Sequence, residues 1–407
     1  MIVPTTQWPE LQSSGGPRHK SQTNIPHFLA LEGVTLRHNA FAIRDEISRD
    51  GETKDLTDAD VTHLYLRAHA LGLDPPREFF EAVLSDAARS NSHHPVRDYL
   101  DGLQWDGEQR LESWLQDFAG TADNAYVSAI GSKFLLAAVR RVRKPGCKFD
   151  QCLVLEGIQG AGKSSLVRIL AGDAYFTDCV HIGADAKAMI EQTAGSWLIE
   201  MAELSGIRKG EVEPIKAMLS RTTDRARLAY GKRAVEVPRQ FVLFGTVNDS
   251  AYLRDSTGNR RFWPVKVGKM DLAGLERVRD QLWAEAAFRE AQGEGLELPE
   301  NLYSVAAQEQ AQRMMADPWE ERLEPVLEGK VGHIEVEAIW KFLTIETHRQ
   351  NPQIGHTVSQ IMSRLGFEKK KLRKNGVLTP CYTNHRASAW FTLGGTTGTV
   401  GTLLGTD

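Results

Sequence analysis

Cysteine is scarce. Cys147, Cys152, Cys179 and Cys381 are the only four in 407 residues, and no two form a CxxC pair. That spacing offers neither a disulfide framework nor a zinc site, so free thiols in a reducing cytoplasm are expected. His93 and His94 adjoin, but no cysteine stands near them. Long apolar runs are also missing. No stretch approaches the ~18 uninterrupted apolar residues of a spanning helix, and MIVPTTQWPELQ lacks a charged-then-apolar leader, which argues against membrane insertion and secretion. Nor is there an excess of one charge: Lys plus Arg number 49 against 53 Asp plus Glu, a formal net charge of −4. Any nucleic-acid surface must therefore be a local patch. What is present, 41% hydrophobic and 25% charged residues, excludes wholesale disorder. At about 150 residues per domain, the length suggests two or three.

Composition and periodicity divide the chain. Residues 1–25, rich in Ser, Gly, Pro and Thr, read as a flexible tail. A strand-like alternation over 34–43 leads to the polar turn Asp50-Gly51. Helical spacing over 57–73, capped by Thr57 or Asp58, precedes the break at Pro75-Pro76. Helices over 77–88, 95–103 and 111–118 complete an α-rich module, 26–120. An amphipathic helix over 126–143 stops at Lys144-Pro145-Gly146. From there short apolar strands (Cys152–Glu156, 197–201, 241–246) alternate with helices (Lys163–Ala171, 211–220), which argues for an α/β core over 121–270 with a parallel sheet flanked by helices. Residues 271–316 read as a helical lid or linker, Leu272–Ala291 and 303–315. A small domain over 317–393 and a flexible tail over 394–407 follow.

The strongest motif is Gly157-Ile158-Gln159-Gly160-Ala161-Gly162-Lys163-Ser164, a GxxxxGK[ST] match between a strand and a helix. The backbone N–H groups of Gly157, Gln159, Gly160, Ala161, Gly162, Lys163, Ser164 and Ser165 are expected to cradle the phosphates of ATP, helped by the positive end of the helix. Lys163 reaches the β- and γ-phosphates in this reading, and Ser164 holds Mg²⁺. A second acid must orient metal and water. The apolar run Trp197-Leu198-Ile199 ends in Glu200, with Glu203 three residues on. Glu200 is assigned to the metal and Glu203 to the attacking water, or the two exchanged. Asn248, at the tip of the next strand, can bond the γ-phosphate or the water. Arg260 and Arg261 follow a Gly-Asn turn and suit an arginine supplied to a neighbouring subunit, or else form a surface ion pair. Two strand-like arms around Gly231-Lys232 read as a β-hairpin with a basic tip, Lys232 and Arg233. It is either a finger for a phosphate backbone or a solvated edge.

The order of these motifs resembles the superfamily 3 helicase branch of the AAA+ ATPases, and more closely the virulence-associated protein E family of phages, prophages and pathogenicity islands. The resemblance rests on HPVRDYLDGLQWDG (94–107), KPGCKFDQCLVLEGIQGAGKSS (144–165), WLIEMAELSGIRKGEVEPIKAMLSRTTDRARLAYGKR (197–233), FGTVNDSAYLRDSTGNRRFWPV (244–265) and Trp283-Ala284-Glu285-Ala286, roughly residues 90–320. It implies a P-loop AAA+ core and ATP-driven work on replicating mobile DNA. The protein would act as a homo-oligomeric ring, taken as a hexamer, around one strand. It further implies that Arg260 or Arg261 acts in trans and that Lys232 and Arg233 face DNA. A primase or initiator protein is a further candidate partner. Residues 1–90 carry no acidic metal cluster or cysteine-based zinc module of the kind a primase needs, so primer synthesis by this chain is not expected.

Residues 356–390 contain Arg364, Lys369, Lys370, Lys371, Arg373, Lys374 and Arg386 against one acid, Glu368. Helices over 335–343 and 357–365, this basic segment and a strand over 389–393 read as a winged-helix-like module. Lys369, Lys370, Lys371, Arg373 and Lys374 would lie on a loop that meets DNA phosphates, or else form a solvated positive face. The function expected is an ATP-dependent DNA helicase or translocase on single-stranded or forked DNA. The alternatives are a nucleotide-gated DNA-binding regulator and a P-loop kinase of a small molecule.

Overall fold

The computed structural model describes residues 7–181, 183–202, 204, 212–227, 233–249, 251–253, 258–314, 317–384, 389–393 and 400–402. They fall into two compact units, divided after Met314.

The first unit opens with α1 (Asn24–Leu31), β1 (Val34–Asn39), β2 (Arg44–Arg49), β3 (Glu52–Asp55), α2 (Asp58–Ala70), α3 (Arg77–Ser90) and β4 (Ser92–His93). The four strands form one sheet in the order β3-β2-β1-β4. The helices of this module thus pack with a sheet, of which the periodicity showed only the alternation over 34–43. Asp50 and Gly51 make the tight turn between β2 and β3, both at positive φ. Thr57 caps α2 in a reciprocal box with Asp60.

The stretch expected as a tail is anchored over 7–25. Trp8 joins Ile25, Phe28, Leu36, Leu64 and Phe80 in the module's core. Buried Asn24 donates through Nδ2 to the carbonyls of Glu10 (2.8 Å) and Arg18 (3.0 Å). Polar composition hid one indole and one well-bonded amide, which are enough to pin the segment.

Next come α4 (Pro95–Gly102), α5 (Trp114–Ala119), α6 (Ala125–Arg143), β5 (Cys152–Glu156), α7 (Lys163–Ala171), β6 (Phe176–Thr177), α8 (Ala186–Thr193), β7 (Leu198–Met201) and α9 (Val212–Ser220). The unit then runs through β8 (Thr223–Ala226), β9 (Val235–Pro238), β10 (Val242–Val247), β11 (Phe262–Lys266), α10 (Leu272–Ala291) and α11 (Tyr303–Gln312). Five of these strands form a parallel sheet in the order β11-β5-β10-β7-β6. Its strands are buried on both faces, as continuous apolar runs require. Leu153, Leu155, Leu198 and Phe244 face a core that includes Phe134 of α6 and Leu282 of α10. Cys152, Val154, Ile199 and Leu243 face another with Ile215 of α9. Residues 95–119, expected in the amino-terminal module, pack here instead through Val96, Leu100, Trp114 and Leu115.

Trp197 and Trp283 stack at the centre with ring centroids 4.2 Å apart. Their indole N–H groups donate to the Ala138 carbonyl and the Leu170 carbonyl, each at 2.9 Å.

The second unit contains α12 (Pro318–Leu327), β12 (His333–Glu335), α13 (Val336–Phe342), α14 (Pro352–Arg364), β13 (Glu368–Lys374) and β14 (Val377–Thr383), then β15 (Phe391–Leu393) and β16 (Val400–Thr402). β12, β14 and β13 make an antiparallel sheet in that order. The basic segment expected as a loop is strand β13. β16, inside the expected carboxyl tail, pairs with β15. Among the described residues, no helix is long and apolar enough to cross a membrane.

Candidate phosphate-binding site

In the parallel sheet, the carboxyl ends of β5, β10 and β7 lie side by side, with β10 in the middle. The turn after β5 therefore faces Asn248 and Glu200 across one edge, where ligands of open α/β sheets collect. The GxxxxGKS turn spans this edge and enters α7 through Gly162, whose φ of +93° disfavours any side chain. No side chain caps that helix. Its first-turn amides precede the helical ladder and point at whatever the turn encloses.

Lys163 is buried. Its ammonium donates to the carbonyls of Gly157 (2.6 Å) and Ile158 (2.9 Å) and to Asn248 Oδ1 (3.1 Å). Burial lowers its pKa below the usual lysine value, and the negative charge of Glu200 works against that shift. Glu200 is buried too, and one of its oxygens, Oε1, accepts from both Ser164 Oγ (2.8 Å) and Thr246 Oγ1 (2.6 Å). No described residue bonds Oε2. A serine hydroxyl beside a carboxylate whose second oxygen no described residue bonds is a hard-oxygen pair of the kind that could hold magnesium.

Beside the turn opens a cleft of about 960 Å³, lined by Gly157, Ile158, Asn248, Asp249, Lys266 and Lys269 among others. That volume lies at the upper end of what small-molecule sites offer, ample for a nucleotide. One wall is held by an ion pair not evident in the sequence. Arg313, just past α11, makes two parallel bonds to Glu156, Nε to Oε1 and Nη2 to Oε2, each 2.8 Å. The Tyr252 hydroxyl adds a third bond to Glu156 at 2.8 Å. Burial and the neighbouring carboxylate push the Tyr252 phenol far up. Removing either partner of such a pair strands a buried charge, typically at ~3–5 kcal/mol. The pair thus fastens the strand before the phosphate turn to the end of the first unit.

Of the other expected residues, Gln159, Gly160 and Ser165 are exposed on or beside the turn, and Ala161 is half-buried. Glu203 and Lys232 lie outside the described residues. Arg233 is exposed at the start of the second arm of the β8–β9 hairpin. The base of that hairpin is clamped by buried Arg239 and Asp224, with Nε to Oδ2 at 2.6 Å. Arg260 and Arg261 do not join the site. β11 runs parallel to β5 with Phe262 beside Cys152 and Lys266 beside Glu156. The arginines therefore sit at the opposite edge of the sheet, about 16 Å away at ~3.3 Å per residue. Arg261 Nε donates to Ser220 Oγ at 3.0 Å, whereas Arg260 is exposed.

Five basic residues of the second unit lie along β13 and divide between its two faces. Lys369, Lys371 and Arg373 are exposed on alternate positions of β13. Lys370 pairs with Glu368 at 3.3 Å, and Lys374 bonds Glu335 and lies over the Trp390 ring.

These features define an α/β protein with a phosphate-type turn at the carboxyl edge of a parallel sheet. The chain belongs to the virulence-associated protein E-like family, whose domain profile matches residues 100–315. No curated protein matches it. Among solved structures it is similar to the apo NrS-1 C terminal region (305-718), at 10% identity and TM-score 0.48, over 90% of this chain and 100% of that one. A second structure, the A form apo NrS-1 C terminal region, gives 10% identity and TM-score 0.47, over 89% and 100%.

Proposed function

We propose that the protein is an ATP-dependent DNA helicase or translocase serving the replication of a phage, prophage or pathogenicity island. ATP is hydrolysed in a homo-oligomeric ring, hexameric by family resemblance, that moves on single-stranded or forked DNA. The observation that carries this reading is the meeting of Lys163, Ser164, Glu200 and Asn248 at one sheet edge beside a nucleotide-sized cleft. The core is then of the P-loop AAA+ type.

Ser164 and Glu200 would hold Mg²⁺, which neutralises phosphate charge and orients its oxygens. Lys163 exchanges its carbonyl partners for phosphate oxygens, placing a full positive charge where negative charge develops. Asn248, already at the Lys163 ammonium, orients the terminal phosphate or the attacking water, and Glu203 polarises that water. Arg260, exposed and remote from its own chain's site, serves the neighbouring subunit. The second unit, with its helix–strand–helix–helix–hairpin order, acts as a winged-helix module that grips DNA phosphates through Lys369, Lys371 and Arg373, with Lys370 and Lys374 contributing nearby charge. Lys232 and Arg233 extend the grip inside the ring, and an initiator or primase protein loads it.

The test is ATP turnover with and without single-stranded DNA, in wild type and Lys163→Ala. Wild type is expected to hydrolyse ATP faster with DNA. The variant should lose about 10²–10³-fold, the usual cost of a charge-stabilising donor. Near-normal hydrolysis by the variant overturns the assignment. Turnover that requires a metabolite indicates a kinase, and binding without turnover a regulator.

A further inference from the structure

The hairpin of β13 and β14 closes through only two residues, Asn375 (φ 49°) and Gly376 (φ 81°). Positive φ at both positions gives the turn whose twist matches the flanking strands, so the tip is narrow and set. Its width is that of two paired strands, about 4.8 Å between axes. Immediately after the turn stand Val377 and Leu378, 67% and 59% exposed. Among the described large apolar side chains that are exposed, these two alone are adjacent in the chain.

The pairing shows what surrounds them. Val377 lies opposite Lys374, and Leu378 opposite Arg373. Residues opposite each other share a face, so Leu378, Arg373, Lys371 and Lys369 stand on the same side as Tyr382. The buried Tyr382 ring reaches α14, where its hydroxyl meets Ser359 Oγ at 3.0 Å. An apolar tip thus projects past a row of three cations beside a helix. Glu368 and Glu335, the acids bonded to Lys370 and Lys374, sit with the opposite face and at the base.

An apolar point flanked by positive charge complements a base stack between two phosphate rails. It fits a membrane poorly, because interfacial binding requires a broad apolar face. We propose that Val377 and Leu378 form a wedge that enters the base stack at a junction between duplex and single strands. Lys369, Lys371 and Arg373 meanwhile hold the adjoining phosphates. This rests on the DNA-binding reading of the second unit.

The test uses the full chain, without ATP, and a forked duplex carrying 2-aminopurine in the first base pair. Wild type should raise its fluorescence on binding. Val377→Ser with Leu378→Ser should bind within about threefold of wild type, since phosphate contacts set affinity, yet lose most of the rise. Val377→Leu with Leu378→Met should keep it, which separates loss of the wedge from loss of the fold. A full rise with the double serine variant, or none with bound wild type, overturns the wedge while leaving DNA binding intact. Lys369→Ala, Lys371→Ala and Arg373→Ala together should weaken fork binding more than about tenfold. Unchanged affinity overturns the DNA-binding reading itself. Tip-dependent binding to anionic vesicles, with no tip effect on the fork, overturns the proposal in favour of a membrane surface.

Discussion

Two hydroxyls converge on one oxygen of Glu200, and they are not equivalent. Ser164 is the metal-side ligand of the proposed site, whereas Thr246 only holds the carboxylate from a buried strand. Thr246→Val keeps the shape and removes the bond. A hydrogen bond to a charged group is worth about 1.5–3 kcal/mol. If that stabilisation is expressed in the transition state, kcat for ATP should fall about tenfold or more. The KM for ATP should stay near wild type, because the substrate's own contacts are untouched. An unchanged kcat would show that Glu200 holds its position without Thr246. Much of this site was legible because its parts are local: the turn is eight consecutive residues, and Glu200 and Asn248 each end an apolar run. Thr246 carried a faint signal, a hydroxyl inside the strand FGTV. The Arg313–Glu156 pair carried none, since the partners lie 157 positions apart and only folding brings them together.

Among elements, the long helices were the most readable. The spacing gave 163–171 and 272–291, the same spans the chain adopts. The buried strands over 152–156, 197–201 and 241–246 were also readable, whereas others were missed for identifiable reasons. β6 has two residues, too few for any period. β11 contains Pro264, which argues against a central strand, and β11 in fact lies at the sheet edge where the missing N–H costs nothing. The lysine-rich β13 looked like a loop, but charge is what an exposed edge strand uses to avoid pairing with other chains. The cap of α2 was found from sequence and carries a stability prediction. Hydrogen bonds from Lys54 and then Thr57 hold the pKa of the Asp60 carboxyl at about 2, below the usual aspartate value. As the pH falls, the unfolded chain takes up that proton first. The contribution is therefore complete above the unfolded value and lost as the pH falls through the folded one. Denaturant midpoints should show Thr57→Ala less stable by about 1 kcal/mol at neutral pH, with the gap narrowing in that acid window. A gap that stays constant to pH 2 would count against the capping box as its source.

For the molecule as a whole, the placement of Arg260 separates one chain from an assembly. Standing at the sheet edge opposite the phosphate turn, it cannot serve its own site, so its use requires a neighbour. Arg260→Ala and Glu200→Gln should each be inactive alone. Mixed together they should recover part of the turnover, because some interfaces then pair an intact Glu200 with an intact Arg260. No recovery in mixed particles would remove the intersubunit finger. The chain divides after Met314, and the basic segment falls within the second unit, well past that division. The anchoring of residues 7–25 was not legible, because one indole and one amide carry it within a polar stretch, and β3 was not, because it is polar and exposed throughout and shows no apolar alternation. The stacked indoles of Trp197 and Trp283 have a practical consequence. One opens the strand that carries Glu200, and the other grips the last turn of the helix that carries Lys163. Because the chain has nine tryptophans, the difference in emission between wild type and Trp283→Phe, and not the total, isolates the pair as an optical gauge of the gap between the two halves of the site.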